Sequence, residues 1–359
     1  MKKVKCGVLG AGWWGTFAHI PGIIGHPQAE LVAIQSRNAD EARKVAEAFG
    51  VCHACQTDDE LLAIEDLDAV VVSSTPNMHY AQARAALERG LHVLVEKPMT
   101  LTAAEARELA LLASKKRLQL LISCPWHFTP HALEARKRIR AGEVGEVRMI
   151  SILMTNPVAR LIKGLDTSPT HGTPFIEPNP GSYSDPAVAG GGQVYTQISH
   201  VAAYLSYLLD SSASEIFARF HKDGSAVDIY DTLNIAMECG ALISIASTGA
   251  TSLSERAFEL RVFGTREIIY LELWKGTMSV LEIEGDRRSD LGQLSPDQIY
   301  PHEAPVKNLI DSVLGLAENL SPGWLGVAAM EIIEAACRSA RTGRNVKVSM
   351  PGAKQWASI

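Results

Sequence analysis

The chain has 359 residues, 47% of them hydrophobic and 21% charged, a composition typical of soluble globular proteins. Its length predicts two domains at about 150 residues each, and its net charge of −6 disfavours nucleic acid and anionic membrane surfaces as partners. No apolar segment after Met1 resembles a secretory signal, and the longest uncharged stretch, Pro186–Leu209, contains three glycines and several polar residues. We therefore expect a cytoplasmic protein with no membrane span.

Up to about Cys124, short apolar runs alternate with helical patterns. The runs typical of strands are Val4–Leu9, Leu31–Gln35, Ala69–Ser73, His92–Val95 and Gln119–Ser123. Apolar residues at helical spacing mark Asp40–Phe49, Ala81–Leu87 and Ala103–Ala113. Continuous apolar strands separated by helices predict a parallel sheet that is covered on both faces.

After about Gly142 the pattern changes to strands separated by tight turns. The predicted strands are Val147–Met154, Glu215–Phe220, Thr232–Glu238, Leu242–Ser247, Phe258–Phe263, Glu267–Leu273 and Thr277–Glu282. Their spacing predicts an antiparallel meander. Helices are predicted at Gln197–Leu209, Pro305–Ala317 and Leu325–Ser339, and Asn156–Ala189 is one long irregular segment.

A glycine-rich loop follows the first strand directly. Gly10, Gly12 and Gly15 form a G-x-G-x-x-G pattern before a helix. In a dinucleotide-binding fold these glycines allow a tight turn, close approach of the pyrophosphate and close helix–strand packing. The alternative is a purely structural turn. Trp13 and Trp14 within the loop either cover the cofactor or pack between domains.

The end of the second strand predicts which nucleotide is bound. An acidic residue there would bind the ribose of NAD, but the chain has Ser36 and Arg37. A hydroxyl with a guanidinium suits the 2′-phosphate of NADP. We therefore predict NADP as the preferred cofactor, with NAD as the alternative and a solvated Arg37 as the simpler interpretation.

Two further motifs follow the next strands. The segment Thr75-Pro76-Asn77-Met78-His79 comes after the strand that begins at Ala69, and Glu96-Lys97-Pro98 comes after His92–Val95. Loops at the carboxyl ends of parallel strands line the ligand crevice. A lysine placed there can hydrogen-bond a substrate oxygen and move its proton, although a surface lysine is the simpler alternative.

These motifs, followed by G-E-V-G-E-V at residues 142–147, together resemble the Gfo/Idh/MocA oxidoreductase family. Gly190–Gly192 with His200 downstream, and the tail Glu334–Arg344, resemble later signatures of that family. The resemblance implies an α/β protein with an N-terminal, doubly wound Rossmann domain (residues 1–124) that binds NAD(P). It further implies a C-terminal α/β domain (residues 125–359) with an open, mainly antiparallel sheet for substrate binding and oligomerisation.

The resemblance also implies site residues, with some departures. Lys97 and His200 would act on the substrate, and Glu96 would lie with them near the cofactor. Where the family has an acidic residue that helps hold the substrate, four positions before the histidine, this chain has Thr196, and where the family has an arginine after the sixth strand it has His127. Both are candidate substrate contacts. These departures leave the substrate and the proton path open.

The helix spacing brings Thr196 and His200 to one face, because they are four residues apart. His200 is the group on that face that titrates near neutrality, and the alternative is a buried structural histidine. Candidate substrate contacts in the irregular segment are His171, Tyr183 and Asp185.

The sequence thus predicts an oxidoreductase that moves a hydride between NAD(P) and a carbinol or carbonyl carbon of a sugar, cyclic polyol or related ring. Two alternatives stay open: a redox-neutral glycosidase that keeps NAD(H) bound, and a non-catalytic nucleotide-sensing regulator. We expect a homodimer or homotetramer, since an open sheet face would expose apolar area. We expect no metal, because Cys52 and Cys55 form a single C-x-x-C pair and zinc needs about four ligands.

Overall fold

The computed structural model describes residues 3–165 and 173–348. Its strands, in chain order, are β1 Val4–Leu9, β2 Ala29–Gln35, β3 His53–Cys55, β4 Ala69–Val72, β5 His92–Val95, β6 Leu120–Ile122, β7 Val147–Thr155, β8 Ala213–His221, β9 Tyr230–Met237, β10 Leu242–Thr248, β11 Ala257–Gly264, β12 Glu267–Glu272, β13 Thr277–Glu282, β14 Arg287–Gln293 and β15 Val346–Lys347.

The α-helices are α1 Ile20–Ile24, α2 Ala39–Phe49, α3 Asp58–Leu62, α4 Pro76–Glu88, α5 Ala103–Lys116, α6 Pro130–Arg140, α7 Ala159–Ile162, α8 Gly181–Ser184, α9 Pro186–Ala189, α10 Ser199–Leu209, α11 Pro296–Ile299, α12 Ala304–Val313 and α13 Gly323–Thr342. Two π-helical segments, Gly15–His19 and Val194–Ile198, lead into α1 and α10. Since π-helical turns often mark functional sites, both segments are relevant to the cavity described below.

The first sheet is parallel and has the strand order β3-β2-β1-β4-β5-β6. Alternate residues of β4 face opposite layers: Val71 belongs to the apolar cluster with α2 and α12, while Val70 and Val72 belong to the cluster with α4 and α5. Both faces are therefore covered by helices, as the continuous apolar runs predict. The predicted doubly wound Rossmann sheet is confirmed.

The second sheet is mixed and mainly antiparallel, in the order β14-β13-β12-β11-β7-β10-β9-β8-β15. Only β7 and β10 among its paired strands run parallel. The predicted strands from 147 to 282 are all present. The structure adds β14 and β15, which the sequence analysis did not predict.

One face of this second sheet packs on helices and the other faces outward. Inward residues of β7 such as Ile150 and Ile152 are buried in the same cluster as Tyr204 of α10. The outward residues Met149 and Leu242 are 43% and 61% exposed. The strands therefore show the alternation typical of a sheet with one open face, as predicted.

The two parts of the chain are closely connected. Helix α12, which follows the strands of the second sheet up to β14, packs on the parallel sheet through Val306, Leu309 and Ile310. The predicted division after residue 124 stays a prediction about folding units. Within residues 3–165 and 173–348, no helix has the length and apolar character needed to cross a membrane.

Candidate active site

A cavity of about 680 Å³ opens where the strands of the parallel sheet end. Residues that follow β1, β2, β4 and β5 line one side of it, and residues from β7 and from the π-helical turn before α10 line the other. Ligands of open α/β sheets bind at the carboxyl ends of the strands. The cavity therefore joins motifs that lie far apart in the sequence.

The glycine loop has the shape that a dinucleotide needs. A Cβ added to Gly10 would lie 2.5 Å from the Ser74 backbone, and one added to Gly15 would lie 2.8 Å from the Gly10 carbonyl oxygen. Both glycines are therefore required for close packing. Nothing lies within 4 Å of a Cβ built on Gly12, so this backbone is open to a pyrophosphate.

Both tryptophans of the loop line the cavity. The Trp13 and Trp14 rings meet edge to face with centroids 5.6 Å apart. Trp14 also lies 6.4 Å from the ring of Tyr300, which belongs to the second part of the chain. The two alternatives for this pair are thus compatible, since Trp14 both faces the cavity and packs across the cleft.

At the end of β2, the side chains form a polar corner of the cavity. Gln35 Oε1 accepts a hydrogen bond from the Gly10 backbone at 3.1 Å, which fixes the glycine loop. Arg37 is exposed and lines the cavity. The Ser36 hydroxyl donates to Glu41 Oε2 at 3.3 Å, so a carboxylate that the sequence analysis did not consider lies beside the predicted phosphate-binding pair.

The loop after β4 is joined to the E-K-P motif through His79. The buried imidazole of His79 lies 2.8 Å from the Pro98 carbonyl and 3.1 Å from the Ser74 carbonyl. Burial lowers the pKa of His79. Thr75-Pro76 lines the cavity next to it, whereas Asn77 is exposed and lies outside the lining.

Glu96 is a buried carboxylate held by several partners. His19 Nε2 lies 2.9 Å from Glu96 Oε1, and the Lys97 backbone N–H donates to the other oxygen at 3.1 Å. Burial by itself would raise the pKa of Glu96, but His19, Lys97 and Ser123 together outweigh it and the pKa is lowered. Glu96 therefore stays ionised and anchors the loop that presents Lys97.

Lys97 lines the cavity and connects the two parts of the chain. Its ammonium donates to the Thr196 backbone carbonyl at 3.1 Å. Enclosure lowers the pKa of Lys97, while the neighbouring Glu96 charge opposes that shift. A lowered pKa makes loss and gain of a proton easier near neutral pH.

The segment opposite Lys97 carries three polar side chains into the cavity. Thr196, Gln197 and His200 all line it and are buried. The Thr196 hydroxyl donates to the Gly192 carbonyl at 2.9 Å, so only its lone pairs remain for a substrate. The predicted shared face of Thr196 and His200 exists, although Thr196 lies in a π-helical turn.

A buried aspartate fixes the start of this segment. Asp228 accepts hydrogen bonds from the backbone of Gly192 at 3.0 Å and of Val194 at 2.6 Å. A Cβ on Gly192 would lie 2.0 Å from the Asp228 carbonyl oxygen, so glycine is required there. The Gly-Gly-Gly run thus lets the chain pack against Asp228 and presents Thr196 and His200 to the cavity.

The neighbouring Asp231 carboxyl gives a pH-dependent stability. Burial, followed by the Asp228 charge, raises the pKa of Asp231 from 3.8 to about 10. The folded state keeps a proton that the unfolded chain loses above pH 3.8, so stability falls as pH rises toward about 10. We expect Asp231→Asn, which keeps the side-chain volume but cannot ionise, to flatten this fall in thermal unfolding measured across pH.

The matched control is Asp290→Asn, at an exposed position of β14, which should leave the pH dependence unchanged. If the stability of Asp231→Asn falls with pH as steeply as that of the wild type between pH 5 and 9, the Asp231 carboxyl holds no proton in the folded protein at these pH values.

Several cavity residues were not predicted from the sequence. They are Gln35, Glu41, Asp58, Trp126, Met154, Asn156, Glu177, Gln197, Trp274 and Tyr300. They come from strand ends, loops and the first turns of helices or short helical segments, and none belongs to a recognisable motif. Tyr183, which the sequence analysis proposed, lines the cavity, and burial raises the pKa of its phenol.

His127 does not reach the cavity. Its ring is 0% exposed, stacks on Tyr207 with centroids 4.4 Å apart, and lies 2.9 Å from the Ser321 hydroxyl. Burial lowers the pKa of His127 to about 3. The ring therefore acts as a neutral part of the core, and the expected substrate contact is not present.

Two other predicted residues also lie outside the lining. Asp185 is exposed and caps α9 by accepting a hydrogen bond from the Ala187 backbone at 2.9 Å. Gly15 is buried behind the glycine loop, where it serves packing. His171 lies outside the described residues.

Comparison with known proteins agrees with this geometry. An oxidoreductase family model with an NAD-binding Rossmann fold matches residues 4–123, and a GFO/IDH/MocA C-terminal domain model matches residues 132–270. The chain belongs to the Gfo/Idh/MocA oxidoreductase family. The family predicted from the motifs is thereby confirmed, together with its two-part fold.

Individual Gfo/Idh/MocA proteins show how far the similarity extends. Inositol 2-dehydrogenase of Rhizobium meliloti is 24% identical, with 96% of this chain and 99% of that protein covered. The dTDP-3,4-didehydro-2,6-dideoxy-alpha-D-glucose 3-reductase of Streptomyces antibioticus is 36% identical over 43% of this chain and 47% of its own length. The chain thus spans under half the length of the first curated relatives, 39% and 47%.

Among solved structures, GenD2 from gentamicin A biosynthesis, in complex with NAD, has a TM-score of 0.79 and 22% identity, with 98% of this chain and 97% of that chain covered. At 22% identity, this structural similarity shows that the two proteins share a fold. The glycosidase and the regulator that the sequence left open gain no support from these comparisons.

Proposed function

We propose that this protein transfers a hydride between a nicotinamide nucleotide and a CH–OH or carbonyl carbon of a sugar, cyclic polyol or related ring. The observation that carries the proposal is the hydrogen bond from Lys97 Nζ to the Thr196 carbonyl oxygen at 3.1 Å. It lies in the cavity that is also lined by the glycine loop and His200. The names of the inositol dehydrogenase and dTDP-sugar reductase relatives agree with this reaction class.

The residues that line the cavity have different roles in this reaction. A bound nicotinamide nucleotide supplies the hydride acceptor or donor. The glycine loop holds the nucleotide phosphates, and Glu96 fixes the Lys97 loop. Lys97 hydrogen-bonds the reacting oxygen and moves its proton, and His200 exchanges that proton as the second titrating group. The aromatic and amide side chains around them orient the ring and exclude water.

The proposal is tested with the purified protein. Mass spectrometry of native protein identifies the nucleotide that co-purifies, and absorbance at the reduced-nicotinamide band follows turnover with a panel of sugars and cyclic polyols. We expect net, reversible nucleotide reduction by at least one ring substrate. Nucleotide binding without turnover on any member of the panel contradicts the enzyme assignment, and aglycone release without net reduction indicates glycosidase chemistry.

We further propose that the preferred nucleotide is NADP(H), bound through Ser36 and Arg37. Among the described residues no carboxylate forms an ion pair with Arg37, so its guanidinium is available for a 2′-phosphate. A charge-assisted contact of this kind is worth about 1.5–3 kcal/mol. We expect Arg37→Ala to weaken NADPH binding roughly tenfold to a hundredfold and to leave NADH nearly unchanged, measured by fluorescence titration.

A substitution at Glu41 tests the same assignment with the opposite expected effect on NADPH binding. Its carboxylate accepts a hydrogen bond from the Ser36 hydroxyl and would repel a 2′-phosphate. Glu41→Gln should therefore strengthen NADPH binding without a comparable change for NADH. Equal effects of both substitutions on the two nucleotides, or a wild-type preference for NADH, contradict the assignment.

We propose that the open face of the second sheet forms the contact between subunits of a homo-oligomer, and that the enzyme acts in the cytoplasm. Met149, Leu153 and Leu242 expose apolar side chains on this face, and such an area is commonly covered by a second copy. Light scattering of the purified protein measures the assembly. A monomer at micromolar concentration contradicts this proposal.

A further inference from the structure

Behind the cavity, His19 contacts the carboxylate that anchors Lys97. The imidazole is 0% exposed, ends the π-helical segment that follows the glycine loop, and is not part of the cavity lining. Its Nε2 lies 2.9 Å from Glu96 Oε1. His19 is therefore close to the site without bordering the space that a nucleotide or substrate would fill.

The hydrogen bonding of the His19 ring is directed at Glu96. An ionised carboxylate only accepts hydrogen bonds, so Nε2 carries a hydrogen and donates it to Glu96 Oε1. The other ring nitrogen, Nδ1, is buried and has no hydrogen-bond partner within residues 3–165 and 173–348. The bond to Glu96 is therefore the one that the ring makes in this part of the chain.

Glu96 connects His19 to Lys97. Its second oxygen accepts the Lys97 backbone N–H at 3.1 Å, and the Ser123 hydroxyl donates a further hydrogen bond to the carboxylate. A carboxylate held in this way has a fixed orientation, which fixes the backbone from which the Lys97 side chain extends. The Lys97 ammonium then reaches the Thr196 carbonyl across the cleft at 3.1 Å.

Glu96 is also the negative charge that favours the ammonium form of Lys97. Enclosure lowers the pKa of Lys97, and the Glu96 charge opposes that shift. Burial by itself would raise the pKa of Glu96, and the hydrogen bond from His19 is the first of the interactions that lower it. Without this donor, burial would favour the protonated carboxyl, and Lys97 would lose the charge beside it.

The other titratable groups around this pair carry no charge that could replace that of Glu96. Burial keeps each of them neutral near neutral pH, because it disfavours the charged form. It raises the pKa values of Cys124, Tyr183 and Tyr300, and it lowers those of His79 and His302.

We propose that His19 is a positioning residue of this active site, which acts through Glu96 to hold Lys97 in place and to preserve the negative charge beside its ammonium. This inference rests on the proposed oxidoreductase function, because Lys97 is the group that moves the proton of the reacting oxygen. The two π-helical segments then have related roles, as is common for π-helical turns near functional sites. One ends in His19 and anchors the Lys97 loop, and the other presents the Thr196 carbonyl to the ammonium.

The test measures the titration of Lys97 directly, in the full-length protein and without a substrate. Lys97 is half-buried and lines the cavity, so a small reagent such as acetic anhydride reaches it. Trace acetylation at a series of pH values, quantified by peptide mass spectrometry, gives the pH at which Lys97 is half-labelled. His19→Leu has a similar volume but no N–H, and it should lower this pH by about one pH unit. His19→Gln, whose amide can donate from the position of Nε2, should stay close to the wild type.

A second imidazole–carboxylate pair provides the matched control. His26 Nε2 lies 3.2 Å from Asp311 Oδ1, outside the cavity lining, and His26→Leu should leave the labelling profile of Lys97 unchanged. Glu96→Gln should lower the half-labelling pH as His19→Leu does. Adding His19→Leu to Glu96→Gln should cause no further change, because His19 acts through that charge.

Activity gives a second readout, with any ring substrate that the enzyme turns over. His19→Leu should lower kcat by about tenfold or more, with KM and nucleotide affinity within a few-fold of wild type, and His19→Gln should recover most of the loss. Circular dichroism verifies that each variant folds. If His19→Leu does not fold, His19→Asn replaces it, because the shorter amide does not extend to Glu96.

The outcomes separate this inference from the proposed function. A wild-type labelling profile of Lys97 in a folded His19→Leu or His19→Asn protein overturns the inference, and so does an equal change in His26→Leu or a further change in the double variant. None of these results affects the oxidoreductase function. The expected change in labelling, found without turnover of any sugar or polyol, supports the coupling of His19 to Lys97 and contradicts the oxidoreductase function alone.

Discussion

Replacing Lys97 with alanine is expected to lower kcat by about two to four decades, the usual contribution of a general acid–base group. Nucleotide affinity should stay within a few-fold, because the glycine loop and the Ser36 corner do not depend on this ammonium. Lys97→Arg should also be poor, since a guanidinium does not release its proton near neutral pH. Steady-state kinetics combined with nucleotide titration separates these effects.

A surface lysine provides the control. Lys307 pairs with Glu303 at 2.7 Å on α12, outside the cavity lining, and Lys307→Ala should keep wild-type kcat. Turnover of Lys97→Ala within a few-fold of wild type would show that the ammonium only supports the Thr196 carbonyl. A loss of nucleotide affinity as large as the loss of kcat would instead assign Lys97 to cofactor binding.

Strands could be predicted where their burial requires a recognisable pattern of apolar residues. Strands β1, β5 and β13 were predicted with their observed bounds, because a strand buried on one or both faces must show an apolar run or alternation. The strands that were missed carry no such signal. Arg287–Gln293 is an almost fully exposed edge strand with three charged residues, and His53–Cys55 has two exposed residues out of three.

The π-helical turn before α10 could not be predicted from sequence patterns. Predicted helix Gln197–Leu209 is preceded in the structure by the π-helical turn Val194–Ile198. Such a turn depends on tertiary contacts, here the hydrogen bonds that the backbone N–H groups of Gly192 and Val194 donate to the Asp228 carboxylate. Asp228 lies more than thirty residues away in sequence, so spacing within the helix gives no sign of it.

The site was predictable from motifs that follow strands and less so elsewhere. Gly12 and Lys97 were predicted because they follow parallel strands and also match family motifs, whereas His200 was predicted from the family resemblance alone. Trp274 and Tyr300 come from loops whose place depends on the packing of the second sheet. The position of His127 was predicted from the end of β6, but its side chain turns into the core beside Tyr207.

His200→Asn is expected to remove the ionisation that controls alcohol oxidation, together with a large loss of kcat. His200 lies in the second position of α10, is 5% exposed and lines the cavity. Oxidation releases a proton, so the rate should rise with pH as the imidazole becomes able to accept it. Asparagine keeps a similar volume and a polar end but does not titrate, and the pH profile of kcat should therefore become flat near neutrality.

Two comparisons separate this role from a structural one. Lys97→Ala should be slow at every pH but keep the same ionisation, because the imidazole is still present. His131→Asn removes another buried imidazole, one that contacts the Gly292 carbonyl at 3.0 Å outside the cavity, and it should lower thermal stability with an unchanged pH profile. If His200→Asn behaves like His131→Asn, its imidazole supports the fold and Lys97 alone carries the proton. If the ionisation survives in His200→Asn and disappears in Lys97→Ala, the lowered pKa of the lysine is the one that the rate reports.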